Sequence, residues 1–326
     1  MTQAVPDRLI DGLETALGDR VSRDRSLAEM TTYRVGGAAT VFIDVEDSHA
    51  LDVVAEQISG EDVPVIVVGK GSNLLVADAG FDGVAIRLGA SFDRIELPRA
   101  DADPIVRVGG AASLPIVARR TAAAGLVGFE WAVGVPGSIG GAVRMNAGGH
   151  GSDMASCLVR VRVRDLATGH DDVVEVSSLQ LGYRRSAVSS RQIVEWAELR
   201  LGRGDSNAAT ATIDEIVRWR RDNQPGGPNA GSVFTNPPGD SAGRLVDEVG
   251  AKGARVRTAQ ISTKHANFIQ ADPGGSADDV VDLMLDVQER VVSATGIRLS
   301  AETRLVGFPP GRIAGLVADD AEGATS

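Results

Sequence analysis

Apolar and polar positions alternate along this chain with two periods, and each period marks a different kind of element. Leu9, Ile10, Leu13 and Leu17 recur at helical spacing and predict that residues 1–24 form a short amphipathic helix. TTYRVGGAATVFIDV then turns through Gly36 and Gly37 into a strand, Asp47 is placed to cap a helix whose apolar face is Leu51, Val54 and Ile58, and VPVIVV reads as another strand. Residues 25–89 are thus expected to form a small βαβ lobe. In a second lobe, residues 90–205, IVRVGG reads as a strand, and a helix opens at Ser113, runs through Leu114, Val117 and Ala118 and closes at Gly125. CLVRVRVRD, VVEV and QIVEWAELRL follow with period two and predict a largely antiparallel sheet, after which Gly202 to Asn207 reads as a linker. A third lobe, residues 206–308, is expected to open with a helix near Thr212 that runs to Trp219 and stops at Pro225. Further helices are predicted from Asp240 to Gly250 and from Ser276 to Gly296, the latter with a face of Val280, Met284, Val287 and Val291. GIRLSAETRLVGF predicts a strand with Ile297, Leu299, Ala301, Thr303 and Leu305 on one face and Arg298, Ser300, Glu302 and Arg304 on the other. Residues 309–326, rich in small, proline and acidic types, predict a disordered tail.

Two stretches break both periods. GVPGSIGGAVRMNAGGHG, Gly134 to Gly151, holds seven glycines in eighteen residues. Such backbone lets a ligand lie against its amides, and we read it as a diphosphate cradle. VIVVGKGSNLL places Gly69, Gly71, Ser72 and Asn73 directly after an apolar strand, at the carboxyl end where open α/β sheets bind ligands. Either run alone is matched by an ordinary surface turn. Together they suit a large dinucleotide.

Composition narrows the setting. A formal charge of −11 argues against a nucleic-acid partner. The single cysteine, Cys157, excludes a disulfide framework and a cysteine metal cluster. No run approaches the roughly twenty apolar residues of a membrane span, and the amino terminus lacks a leader pattern, so a cytoplasmic protein is expected. His49, His150, His170 and His265 have no metal-ligand spacing, and no metal is assigned.

Three polar residues stand where packing does not ask for them. Ser232 in NAGSVFTNP lies between a glycine and a β-branched residue and can donate a hydrogen bond or a proton; local backbone is its commoner partner. Arg184 in LGYRRSAV sits beside Tyr183, just before the apolar strand, and taken alone reads more readily as a surface arginine. Glu302 lies on the polar strip of its predicted strand, as a solvated strand face also would. Lys264 in ISTKHANFI is placed to meet a phosphate or to be a loop lysine.

In order along the chain, TTYRVGG, GKGSNLL, GVPGSIGGAVRMNAG, the GYR around Arg184, AGSVFTNP, STKHANF and AETR resemble the motifs of the UDP-N-acetylenolpyruvoylglucosamine reductases, the MurB family, over nearly everything from Thr31 to Phe308. The resemblance implies an α+β fold: a two-lobe FAD-binding domain of the vanillyl-alcohol-oxidase (PCMH) type and a C-terminal α/β substrate domain. It implies reduction of the enolpyruvyl ether of UDP-N-acetylglucosamine to a lactyl ether, with NADPH passing hydride to FAD and the flavin passing it to the substrate. The three catalytic positions it implies are Arg184, Ser232 and Glu302. Its cofactor residues fall on Gly69, Lys70, Gly71, Ser72, Asn73 and Leu74, and on Pro136, Gly137, Ser138, Gly140, Gly141, Asn146 and Gly149. Substrate contacts fall on Tyr183, Asn236 and Lys264. The residue types suit the chemistry. Hydride addition drives charge onto the substrate carboxylate, and losing one fixed donor at such an oxyanion costs on the order of 3 kcal/mol in other enzymes. Arg184 supplies a permanently charged fork, Glu302 an acid or an orienting group, and Ser232 a proton to a strongly basic intermediate.

The departures are specific. Only residues 185–231 separate Arg184 from Ser232, so the tyrosine-bearing insertion of some members is missing and the shorter-looped, type II-like subtype is implied. Asn223 stands where many members have lysine, and His150 where some have tyrosine. RVGGAAT lacks the histidine used for covalent flavin attachment in the wider fold, so a non-covalent FAD is expected. Two rivals differ in class: an alcohol oxidase of the same fold, which needs no UDP site, and a non-catalytic flavin or sugar-nucleotide binding module, which has no use for the three catalytic residues.

Overall fold

A computed structural model describes residues 4–317. The chain divides into two compact units, the first made of Met1–Ser22, Val41–Lys70 and Gly83–Arg220, the second of Arg23–Thr40, Gly71–Asp82 and Arg221–Ser326.

The first unit contains two lobes, each with its own apolar core. In one, helix Asp7–Leu17 buries Leu9, Ile10, Leu13 and Leu17 against Leu51, Val54 and Ile58 of helix Ser48–Ile58. Asp47 starts the second helix by accepting a hydrogen bond from the Ala50 amide at 2.8 Å, as its sequence position predicts. The sheet order is Val21–Ser26, Ala38–Val45, Phe81–Leu88, Val65–Val67, the last two parallel. The outer strand Val21–Ser26 escaped prediction because its polar sequence VSRDRS carries no alternating apolar face.

The other lobe is built on a five-stranded sheet in the order Asp171–Glu175, Leu158–Asp165, Gln192–Arg200, Ile105–Gly109, Ile95–Glu96, with every neighbouring pair antiparallel. Its inner face buries Val106, Val108, Val161 and Leu199. The arginines of LVRVRVRD find acids on the sheet's other face, Arg164 reaching as far as Asp52 on helix Ser48–Ile58 of the first lobe. Arg160 and Arg107 both reach Glu198 at 2.7 Å, Arg162 pairs with Asp171, and Arg164 bonds Glu195 and Asp52.

Helix Ser206–Asn223 departs from expectation. Ala209, Ile213 and Ile216 are buried in the core of this second lobe, so the helix completes that lobe rather than opening a third. Burial of each isoleucine contributes about 1.5–3 kcal/mol. The expected linker contains Gly202–Arg203, paired with Leu126–Val127. Arg191 joins the two lobes by donating to Ile58 O, Glu61 O and Val63 O at 3.1, 2.9 and 3.3 Å.

In the second unit, helix Ala277–Thr295 buries Val280, Val281, Met284, Val287 and Val291 in a core shared with helix Ala242–Glu248 and the antiparallel strands Arg255–Val256, Ala259–Ile261 and Ile269–Ala271. Ser276 caps the helix through the Asp279 amide, as predicted, and Asp78 accepts from the Ala277 and Asp278 amides. Strand Arg304–Val306 runs parallel to Leu74–Val76. The long strand read from GIRLSAETRLVGF is therefore only three residues, because its partner offers no more. Upstream, Ser300 and Glu302 bond instead to Thr235 and Val233. The expected tail is partly ordered: Pro310–Ile313 is helical and Leu316 is fully buried, its apolar side chain giving the segment something to dock with. Residues 318–326 of that prediction lie outside the described residues.

Candidate active site

The first unit carries a cleft at the carboxyl end of strand Val65–Val67. About 670 Å³ of space, open to solvent, lies between Val67, Val68, Gly69 and Lys70 on one side and Gly110, Ala111, Ser138, Gly140 and Gly141 on the other. Leu88, Val188, Ile193 and Val194 add an apolar wall, and Arg87, Arg144 and Gln192 add polar groups. Arg87 is held by Asp44 at 2.6 Å.

The walls need glycine. A Cβ on Gly69 would stand 2.4 Å from the Ser138 hydroxyl, and one on Gly110 would stand 1.9 Å from the Val194 carbonyl oxygen. The second glycine run works differently from the simple amide cradle read in the sequence. The Ile139 amide donates to Ala112 O, Gly140 to Gly110 O at 2.8 Å, and Gly141 to the Ser138 hydroxyl at 3.4 Å. These amides have protein acceptors, and the run lets a short helix press onto the end of strand Ile105–Gly109. The resulting cleft fits FAD in its chemistry: it has backbone-lined walls a Cβ would obstruct, an apolar side for flat rings, and lysine and arginine for a diphosphate.

Asn146, expected at the cofactor, is 4 % exposed and committed within the protein. Its Nδ2 donates to Asp153 Oδ2 at 3.1 Å and to Gly182 O at 3.0 Å, and its Oδ1 accepts from the Ala155 amide at 3.0 Å. Gly182 opens the tight turn bearing Tyr183 and Arg184, closed by reciprocal backbone bonds between Gly182 and Arg185. Asn146 therefore positions the arginine turn. Arg184 sits there at φ 57°, in the left-handed region that costs an ordinary residue energy, and its guanidinium lies 5.1 Å from the Tyr183 ring and donates to Gly148 O at 3.4 Å. Tyr183 is exposed. At Gly148–Gly149 the chain pairs with Ser152–Asp153. His150 packs edge-on against Trp219 with centroids 5.1 Å apart, and burial together with Arg220 lowers its pKa. Pro136 and Gly137 precede the Ser138 cap, with Gly137 O accepting from Leu114.

The second unit holds the other part of the glycine-bearing turn and the remaining catalytic candidates. Gly71 has φ 61° and packs so closely on Met30 that a Cβ would lie 2.0 Å from its carbonyl oxygen. Ser72 is half-buried, and Leu74 starts the strand paired with Arg304. Asn73, assigned to cofactor from the sequence, donates through Nδ2 to Glu302 O at 3.0 Å, and its own carbonyl accepts from Arg304. The segments that carry Ser232 and Glu302, seventy residues apart, pair here: the Glu302 amide donates to Val233 O at 2.8 Å. Ser232 is half-buried, and its hydroxyl has no protein hydrogen-bond partner among the described residues.

Sequence reading missed the residue that holds the backbone directly after this serine. Asn267, 3 % exposed, donates to Phe234 O at 2.8 Å and accepts from the Phe234 amide at 3.0 Å, while Asn267 O accepts from Val233. The signal was an asparagine inside the otherwise apolar ANFI, overshadowed by its neighbours. Lys264 is exposed and donates to Arg221 O at 2.5 Å, and Asn236 Oδ1 accepts from the Ala242 amide at the start of helix Ala242–Glu248.

The chain is similar to known proteins over most of its length. Residues 39–174 match an FAD binding domain, and residues 223–306 match the UDP-N-acetylenolpyruvoylglucosamine reductase C-terminal domain. The chain is 38 % identical to UDP-N-acetylenolpyruvoylglucosamine reductase 2 of Symbiobacterium thermophilum, over 89 % of this chain and 95 % of that protein. It is 39 % identical to the reductase of Gloeobacter violaceus, over 89 % and 97 %. The crystal structure of the Thermus caldophilus reductase superposes with TM-score 0.77 at 36 % identity, over 88 % of this chain and 99 % of that one. The cleft, the paired Ser232 and Glu302 segments and these matches agree with the fold class expected from the sequence, and the chain belongs to the UDP-N-acetylenolpyruvoylglucosamine reductase family.

Proposed function

We propose that this protein reduces the enolpyruvyl ether of UDP-N-acetylglucosamine to the lactyl ether of UDP-N-acetylmuramate in the cytoplasm, using NADPH and a non-covalent FAD. When bound, the flavin supplies hydride transfer from NADPH to the enolpyruvyl carbon. Gly69, Lys70, Ser138, Gly140 and Gly141 are the residues that would hold its diphosphate region, with Arg87 and Arg144 as further cations at the same cleft. Tyr183, Asn236 and Lys264 are our candidates for the UDP moiety.

Three side chains serve the substrate. The Arg184 guanidinium offsets negative charge developing on the substrate carboxylate, and its turn, pinned by Asn146, holds it ready before the charge appears. The Ser232 hydroxyl gives its proton to the neighbouring carbon. Glu302, whose backbone amide donates to the carbonyl of Val233 next to Ser232, polarises or orients the acceptor. The observation that supports this reading is the bond between Val233 O and the Glu302 amide, which holds the Glu302 backbone against the segment carrying Ser232, whose half-buried hydroxyl has no protein hydrogen-bond partner among the described residues.

Ser232→Ala is the test. Flavin reduction by NADPH is expected to proceed within about twofold of wild type, while reoxidation by the enolpyruvyl substrate falls by on the order of 10²–10⁴ for loss of the proton donor. Equal slowing of both half-reactions in rapid-mixing measurements of flavin absorbance would contradict the assignment.

A further inference from the structure

We propose that the segment Pro309–Val317 is a strap that positions Glu302, with Gln288 and Leu316 as its two positioning residues. The inference rests on the role given to Glu302 above and adds groups that touch neither substrate nor cofactor.

Leu316 is fully buried in the core of the second unit, and its carbonyl accepts from the Ala301 amide at 2.7 Å. Gln288, 5 % exposed on helix Ala277–Thr295, donates through one Nε2 to both Leu299 O and Gly315 O at 2.5 Å. One amide group thus holds the approach to Glu302 and the strap together. Arg312 anchors the strap to the same helix through Asp278 at 2.9 Å and Asp282 at 2.8 Å. From the other side, Val233 O and the Asn73 amide hold the amide and carbonyl of Glu302. The carboxyl is therefore carried by a peptide held from both sides, and Leu299, Ala301 and Gly315 form the side that depends on the strap. The matched reductase domain ends at residue 306, so the strap lies beyond it.

A displacement of about 1 Å at a catalytic group costs on the order of 10²-fold in rate, so loosening this side should be visible in one half-reaction only. The experiment uses the full chain loaded with FAD, in four forms besides wild type: Gln288→Met, Leu316→Ala, Leu316→Met and Glu302→Gln. Reduction by NADPH and reoxidation by the enolpyruvyl substrate are followed separately by flavin absorbance. Expected are reduction rates within about twofold of wild type throughout. Reoxidation should be slowed roughly tenfold or more in Gln288→Met and Leu316→Ala, with the loss in kcat rather than KM, and it should recover in Leu316→Met, which refills the volume. A folded Gln288→Met and Leu316→Ala with normal reoxidation, beside a slow Glu302→Gln, overturn the strap alone. Equal slowing of both half-reactions also overturns it, since a merely structural role gives that result. Normal reoxidation in Glu302→Gln removes the catalytic reading itself, and the strap with it.

Discussion

Ser232 stands out in the sequence as a hydroxyl where a buried strand would rather have valine, whereas Arg184 and Glu302 look like ordinary surface positions and are singled out by the resemblance to the reductase motifs. Asn146, Asn267 and Gln288 were not legible in the same way. Their partners are mostly backbone groups of remote segments, and every residue has a carbonyl, so no side-chain pattern announces the bond. Asn146 was singled out, but as a ligand to cofactor; its protein partners at Asp153, Ala155 and Gly182 show it holding the Arg184 turn. Asn146→Ala should lower stability by about 1–3 kcal/mol through the buried groups left unpaired. Urea denaturation would show it, and a change below about 0.5 kcal/mol, the ordinary scatter of surface substitutions, would contradict the assignment. At the cofactor cleft, Gly69→Ala places a methyl 2.4 Å from the Ser138 hydroxyl. Overpacking of about 1–3 kcal/mol predicts FAD binding weakened roughly tenfold or more. Visible absorbance of the purified variant checks this, and full flavin occupancy with wild-type affinity would count against the cleft.

Helices were read well from spacing and caps: Asp47, Ser276 and the apolar faces that follow them are where the pattern placed them. Short strands were read poorly. Val21–Ser26 is polar, Leu74–Val76 is three residues long, and Arg304–Val306 takes only the end of a much longer alternating run. Alternation records which side chains face inward, and a loop held by remote carbonyls can show it as well as a strand. The affiliation of helix Ser206–Asn223 was also hidden, since Ala209, Ile213 and Ile216 define an apolar stripe without saying which lobe receives it. Arg191 belongs at this scale because it joins two lobes of one unit through three carbonyls at the end of helix Ser48–Ile58. Arg191→Ala should cost about 1–3 kcal/mol of stability and weaken FAD, because the cleft-lining Gln192, Ile193 and Val194 follow it directly. Fluorescence titration with FAD tests the second effect; unchanged affinity would show that the clasp does not set the cleft.

For the molecule as a whole, no helix among the described residues is long and apolar enough to cross a membrane. Two histidines should shape its response to pH. Burial, with Arg220, lowers the pKa of His150, and burial, with Lys252, lowers that of His265. The unfolded chain therefore binds more protons than the folded one as pH falls below their ordinary value near 6.5. The stability linked to these neutral imidazoles is fully present above that value and is lost as pH drops through it toward the lower folded values. Urea midpoints between pH 5 and 8 should fall toward acid, and His150→Gln with His265→Gln should flatten the slope in that window; an unchanged slope would contradict it. The account as a whole comes to one measurement, the visible spectrum of the purified protein followed through two additions. It predicts a flavin spectrum that NADPH bleaches and UDP-N-acetylglucosamine enolpyruvate restores without oxygen, with the flavin released when the chain is denatured. A flavin that NADPH reduces but the enolpyruvyl substrate cannot reoxidise would contradict the proposed activity.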